Sequence, residues 1–415
     1  MDDPDVLVIG GGVAGLFCAY FLRQAGGSVT VVERGPVGGP QSCSAGNTGF
    51  VGTHGAAPLA APGMFSTLLR PDGPLYVRPR WDAGLVRWLW HFRRAATSRA
   101  AFPVLLELKR QSYEILRKLC ASGGLADTFA APGMIVAYRD QDAFERACRT
   151  AQVTAERGVP LRILDPGSVA ELEPDVELDI CGAVYNEEGA YLRVPAFLTE
   201  LAASLADAGV DVRPHTEVTG FEVAGHAVRR VRTNRGDLRP GQVVLAAGAW
   251  SAAVARGLDL GLLLQPIRGH AATVAGVSPR RPVTLGEEQV ALAPVGDGLR
   301  IGGGRGLVGL DRTTSPDRVA AMLRAAGRYL PALRGATPGA VWSGLRPCSP
   351  DSLPFIGRAG RYDNLHVACG HGHIGMGLAP AGGRLLAQLV AGEPPDVDPA
   401  PFRVGRYSTE DSHGT

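Results

Sequence analysis

Three groups of residues in this sequence could do chemistry. Near the C-terminus, HVACGHGHIGMGLAPAGGR (366–384) sets His371 and His373 among Gly370, Gly372, Gly375 and Gly377, directly before a helix-like run. Glycine loses more backbone entropy on folding than any other residue, so this loop exists because something must approach its bare backbone. Upstream, GLRP (344–347) carries Arg346. A planar guanidinium binds a carboxylate through two parallel hydrogen bonds and thereby orients it. The chain has forty arginines beside Lys109 and Lys118, so composition gives no reason to single out Arg346. At the N-terminus, GGGVAG (10–15) contains the spacing Gly10, Gly12, Gly15, and an acid, Glu33, follows about twenty residues later.

The N-terminal group is the one whose supporting elements can be read directly. DVLVI (5–9) is a short, continuous, β-branched run, the pattern of a buried strand. LFCAYFLRQAG (16–26) continues a helix opened by Val13 and Ala14, and SVTVVE (28–33) is a second strand ending at Glu33, with Arg34 next. In this strand–glycine turn–helix–strand unit, Gly10 permits the tight turn, Gly12 lets backbone approach a pyrophosphate, and Gly15 lets the helix pack on the strand. The helix N-terminus turns its free N–H groups toward the phosphates, and Glu33 takes the ribose hydroxyls. GxGxxG alone is a weak signal; the complete unit points to a dinucleotide. Glu33 suits an unphosphorylated ribose and does not separate FAD from NAD.

The next segment separates them. A nicotinamide domain would continue with another helix and strand, whereas QSCSAGNTGFVGTHGAAPLAAPG (41–63) is a long loop of small residues. It resembles the FAD-dependent D-amino-acid dehydrogenase and glycine oxidase family, in which such a loop, here Ser42, Ser44, Ala45, Gly46 and Asn47, runs beside the flavin. The likeness continues through PLYVRPRWDAGLVRWLWHF (74–92), VVLAAGAWS (243–251), LAPVGDGLRIGGG (292–304) and WSGLRPCSPDSLPFIG (342–357). Five matches in order are specific for the family and less so for a substrate.

The resemblance implies an α/β fold: a Rossmann-like FAD-binding domain of the glutathione-reductase and p-hydroxybenzoate-hydroxylase type, interleaved with an α+β substrate-binding domain. The expected division is 1–76, 160–256 and 338–405 for FAD, 77–159 and 257–337 for substrate, and a polar tail over 406–415. Further flavin contacts are expected at Val218 in HTEVTGFEV, at Ala247, Gly248 and Trp250, and at Gly370, His371, Gly372, Gly375, Met376 and Gly377 in the closing loop. There, backbone N–H groups and a helix end would stabilise the charge of the reduced flavin. Arg346 matches the carboxylate anchor of the glycine oxidase pattern. His373 stands where those enzymes carry an arginine near substrate, and His371 can hold the loop by hydrogen bonds. Hydride would pass from Cα to flavin N5, giving an imine and then a 2-oxo acid, with oxygen, a quinone or a redox partner as final acceptor.

Two departures bear on the substrate. Ala291 stands about where glycine oxidases have a tyrosine, which enlarges the site and favours a bulkier or cyclic, proline-like D-amino acid; oxidation of N-methyl or other secondary amino acids is the alternative. Ser44 occupies the N-terminal position of a covalent histidine, and Cys348 looks offset from the covalent cysteine of sarcosine enzymes, so FAD is expected to be non-covalent. A flavin subunit of a hetero-oligomeric amine dehydrogenase is a third reading.

The bulk properties agree. The net charge of +2 gives no case for nucleic acid, and seven scattered cysteines without a CxxC pair argue against metal sites and disulfides. MDDPD has no basic n-region and no run is long enough to span a membrane, so a cytoplasmic protein is expected. RWDAGLVRWLWHFRRAA (80–96), with three tryptophans and flanking arginines, reads as a packed helix and leaves peripheral contact with the inner face of the plasma membrane open.

Overall fold

The computed structural model describes residues 3–53, 59, 75–98, 100–121 and 123–407. Its N-terminal unit forms as the spacing predicts. The strand Val6–Ile9 is buried throughout and pairs in parallel with Val29–Val32 on one side and Gln242–Leu245 on the other. Continuous β-branched runs suit strands covered on both faces. The six-stranded sheet runs Asp211–Arg213, Val29–Val32, Val6–Ile9, Gln242–Leu245, Leu365–Cys369, Phe355–Arg358; its last strand is antiparallel. Because the chain leaves Val6–Ile9 to one side first and returns on the other later, a crevice opens at the carboxyl ends of these strands, where ligands of open α/β sheets bind.

One face of this sheet is covered by the helices Val13–Gln24 and Ala379–Ala391. They meet closely at Gly383, where a methyl group would lie 2.6 Å from the Phe17 backbone. The turn before the first helix is equally tight. Gly10 has φ +118°, a region that disfavours side chains, and a methyl group on Gly15 would fall 1.8 Å from the Gly10 carbonyl oxygen.

A second, nine-stranded sheet is ordered Val341–Cys348, Gln265–Ala275, Gly298–Leu307, Val290–Val295, Val283–Leu285, Met134–Tyr138, Gly182–Asn186, Leu161–Leu164, with Tyr76–Val77 beside Gly298–Leu307. Helix Pro316–Tyr329 packs through Val319, Met322 and Leu323 on the core of one face. Three of these strands, Leu161–Leu164, Gly182–Asn186 and Val341–Cys348, fall within the spans assigned above to the FAD domain, yet hydrogen-bond into this sheet. Val184 pairs across to Val136, and Arg346 to Ile267, partners distant in sequence that local pattern does not reveal.

The tryptophan-rich helix spans Ala83–Ala95. It buries Leu85, Trp88 and Phe92, and the Trp88 indole N–H donates to the Cys348 carbonyl at 2.9 Å. Trp90 and Val86 on the same helix, and Trp81 before it, are exposed. No described helix is long and apolar enough to cross a membrane. Residues 54–58 and 60–63 of the small-residue loop, Pro74, and 408–415 of the polar tail lie outside the described residues.

The helix contact is testable apart from any ligand. Gly383→Ala forces the two helices apart and should cost about 1–3 kcal/mol, as overpacking does. Thermal unfolding of the apoprotein measures it; an unchanged Tm would mean that the helices do not touch there.

Candidate active site

Between the two sheets lies a cavity of about 960 Å³. It brings together most of the residues singled out in the sequence. Gly10, Gly12, Val13, Ala14, Glu33 and Arg34 line it from the first unit; Ser42, Ser44, Gly46 and Asn47 from the small-residue loop; Val218, Ala247, Gly248 and Trp250 from the middle of the chain; Arg346, His371, Gly372, His373, Gly375 and Met376 from the C-terminal part. Gly15, Ala45, Gly370 and Gly377 do not line it, and each has another task. Gly15 seats the helix on the Gly10 carbonyl, the Ala45 carbonyl accepts from Arg300 at 3.3 Å, Gly370 lies against Phe355, and Gly377 against Lys109.

The first half of the cavity is built like a nucleotide cradle. Gly12, the N-cap of the first helix, supplies no side-chain cap, and the first turn carries no acid. Ser44 Oγ accepts the Val13 N–H at 3.2 Å. The N–H groups of a first helical turn have no intrahelical partner, and the backbone of Gly12 borders open space: a methyl there would meet nothing nearer than Ser44 Oγ at 3.5 Å. Glu33 is held by the backbone N–H groups of Gly11 (2.8 Å) and Gly35 (3.2 Å). The Arg34 guanidinium sits 3.8 Å from the centre of the Trp250 ring, a cation–π contact. Asn47 folds the small-residue loop, donating to the Ser44 carbonyl at 2.7 Å and accepting the Gly49 N–H. A bare helix end, a poised acid beside the second strand and a preformed loop fit FAD.

The other half is cationic. Arg346 lies on the strand Val341–Cys348, and its guanidinium rests on the backbone of Gly269, where a methyl group would lie 2.4–2.6 Å from the guanidinium atoms. Arg346 Nη1 donates to the Gly304 carbonyl at 2.7 Å. Among the described residues no carboxylate pairs with it, and burial lowers its pKa. Arg305 and Lys109 line the same region. Among the described lining residues the only carboxylates are Glu33 and Glu217, both at the nucleotide half, where the Thr216 N–H donates to the Glu33 carbonyl.

The two histidines part company. The His371 ring lies over the closing helix, its Nε2 3.2 Å from where a methyl on Gly382 would stand, and burial lowers its pKa to about 4. Its backbone bridges to Cys348, so it ties the loop to the Arg346 strand. His373 faces the cations: burial first, then the charges of Arg305, Arg346 and Lys109, hold it far below its ordinary range and keep it neutral.

Lys109 and Arg305 escape sequence reasoning. Lys109 is one of two lysines on an amphipathic helix, Ala101–Leu119, and its spacing from Leu105 and Leu116 puts it on the apolar face, the one signal available; the fold buries it and burial lowers its pKa to about 7. Arg305 is one arginine among forty. Its position after three glycines on a strand (Gly302, Gly303, Gly304) is the one available signal.

Comparison with known proteins agrees with this geometry. Residues 5–389 match the model of the family described as FAD dependent oxidoreductase. D-amino acid dehydrogenase 2 of Mesorhizobium japonicum is 32% identical over 409 residues, covering 95% of this chain and 98% of that protein. The D-amino acid dehydrogenase of Paramagnetospirillum magneticum is 33% identical over 422 residues, covering 97% and 99%. Among solved structures, glycine oxidase from Geobacillus kaustophilus superposes with a TM-score of 0.75 at 26% identity, covering 97% of this chain and 99% of that one. With the nucleotide cradle at one end of its cavity and an unneutralised arginine at the other, this chain belongs to the FAD dependent oxidoreductase family.

Proposed function

We propose that the protein oxidatively deaminates an amino acid, of the D-series by its similarity to the dehydrogenases, using non-covalently bound FAD. The observation that carries the reading is Arg346: a guanidinium facing the cavity, seated on bare backbone, with no carboxylate of its own. It is ready for the substrate α-carboxylate, and two parallel hydrogen bonds to it fix the direction of the Cα–H bond. FAD, when bound, supplies the acceptor for the two electrons of that bond. The substrate nitrogen must be unprotonated for its lone pair to form the imine; His373, held neutral by burial and three cations, can accept a hydrogen bond from that nitrogen but is too weak a base to carry its proton. Water then converts the imine to a 2-oxo acid and ammonia, or an amine if the nitrogen was substituted. Ala291 lines the cavity beside Thr284 and leaves room for a side chain larger than hydrogen, in keeping with a bulky or cyclic substrate.

Cys348 supports the non-covalent reading. It is 2% exposed, packed with Trp88, Leu263 and Ile267, and burial pushes its thiol up to about 12, so it is no nucleophile. Denaturing the holoprotein should therefore release all its flavin into the filtrate; flavin that stays with the chain would overturn this.

Arg346→Gln should retain FAD and lower the second-order rate of anaerobic flavin reduction by roughly 10²-fold or more, about 3 kcal/mol, the usual cost of removing one partner of a buried charge pair. Stopped-flow reduction by a panel of D-amino acids measures this, and an unaffected rate would remove Arg346 from the anchor role.

Lys109 makes anion affinity depend on pH. It is charged below about 7 and neutral above, while Arg305, lowered to about 10, and Arg346 stay charged and His373 stays neutral. The Kd of a carboxylate lacking an amine, such as propionate, read from the flavin spectrum, should rise several-fold from pH 6 to 8. Lys109→Met should flatten the profile; an unchanged slope in the variant would assign the titration to another group.

A further inference from the structure

The cationic half of the cavity holds one more guanidinium than a single carboxylate needs. Arg305 lies on the strand Gly298–Leu307 and lines the cavity. Its Nη2 donates to Gln289 Oε1 at 3.2 Å, a neutral acceptor, and no described carboxylate stands within ion-pair distance. Arg346 donates to the carbonyl of Gly304, the residue immediately before Arg305, and the two charges lie near enough to repel each other. Gln289 itself closes the turn between the strands Val283–Leu285 and Val290–Val295, with φ +53° and its N–H donating to the Leu285 carbonyl at 2.8 Å. The sheet surface here is cleared of bulk: Gly302, Ala291 and Thr284 stand in cross-strand register and all line the cavity. Space and positive charge therefore extend beyond Arg346 together.

We propose that the substrate carries two carboxylates, the α-carboxylate held by Arg346 and a second one, on the side chain or on the nitrogen, held by Arg305. This rests on the amino-acid reading above. The argument is a count of charges. One carboxylate bound by Arg346 leaves Arg305 partly buried against a neutral amide, which is costly for a guanidinium. A second carboxylate on the same molecule gives each cation its own partner, and bidentate pairing fixes both ends. Burial and the neighbouring Arg346 charge already depress Arg305 to about 10, the mark of a cation kept short of counter-charge. The arrangement also discriminates, since a neutral amide in place of the second carboxylate cannot neutralise Arg305.

Two measurements on the purified holoenzyme test this. In the first, without turnover, succinate and glutarate are titrated against propionate and butyrate, following the flavin spectrum. The dicarboxylates should bind about tenfold tighter or more, and Arg305→Gln should bring the ratio of dicarboxylate to monocarboxylate affinity toward one. No preference in the wild type, or equal losses for both classes in Arg305→Gln, would overturn the proposal; the latter would mean that both arginines grip one carboxylate. In the second, D-glutamate and D-aspartate are compared with D-glutamine and D-asparagine as anaerobic reductants, with N-carboxymethylglycine as the nitrogen-substituted case. Reduction by the neutral amino acids in preference to the acidic ones overturns the two-carboxylate substrate and leaves amino-acid oxidation standing. If no member of either set reduces the flavin, the two-carboxylate substrate is overturned, and amino-acid oxidation is judged separately by anaerobic reduction with apolar and cyclic D-amino acids such as D-proline.

Discussion

Taking a guanidinium partly out of water without giving it a counter-ion costs free energy that the rest of the fold must offset. Arg346 is placed in this way, and much of the surrounding structure follows from it. Its plane lies on Gly269, which has no side chain to displace it, and the next strand supplies the Gly304 carbonyl. Strand pairing with Gln265–Ala275 sets the register that brings Gly269 under it. The guanidinium is thus oriented before any ligand arrives, so binding does not have to order it.

Charge is sorted along the cavity. The carboxylates among its described lining residues, Glu33 and Glu217, stand at the nucleotide half, while Arg305, Arg346 and Lys109 stand at the other. One half therefore offers acceptors to hydroxyl groups and the other offers cations to carboxylates, with neutral His373 among them. The cationic half attracts a carboxylate and repels a further cation. It also explains the neutrality of His373, since burial and three nearby cations all oppose its protonation.

The chain crosses between the two sheets several times, and the last crossing carries Arg346. WSGLRPCSPDSLPFIG enters as the edge strand of the nine-stranded sheet and leaves as the antiparallel edge strand of the six-stranded sheet. The backbone bridge between Cys348 and His371 fastens the closing loop to it. Arg346 and the loop that follows the strand Leu365–Cys369 are thereby tied to each other through backbone.

Local pattern determined the dinucleotide unit of this protein. Gly10, Gly12, Gly15 and Glu33 lie within one strand–helix–strand, where short-range geometry dictates role, and the structure places them accordingly. Motif context singled out Arg346 among forty arginines, and the fold places it in the cavity wall. What the chain's order could not convey was the pairing of distant strands. That pairing put Leu161–Leu164 and Gly182–Asn186 into the second sheet, set Gly269 beneath Arg346, and turned Arg305 inward beside it. Helix packing likewise put Lys109 into the cavity wall. The physical reason is common to all four. A side chain's charge and reach are written in its type, but its solvation and its neighbours depend on which surfaces tertiary packing brings together.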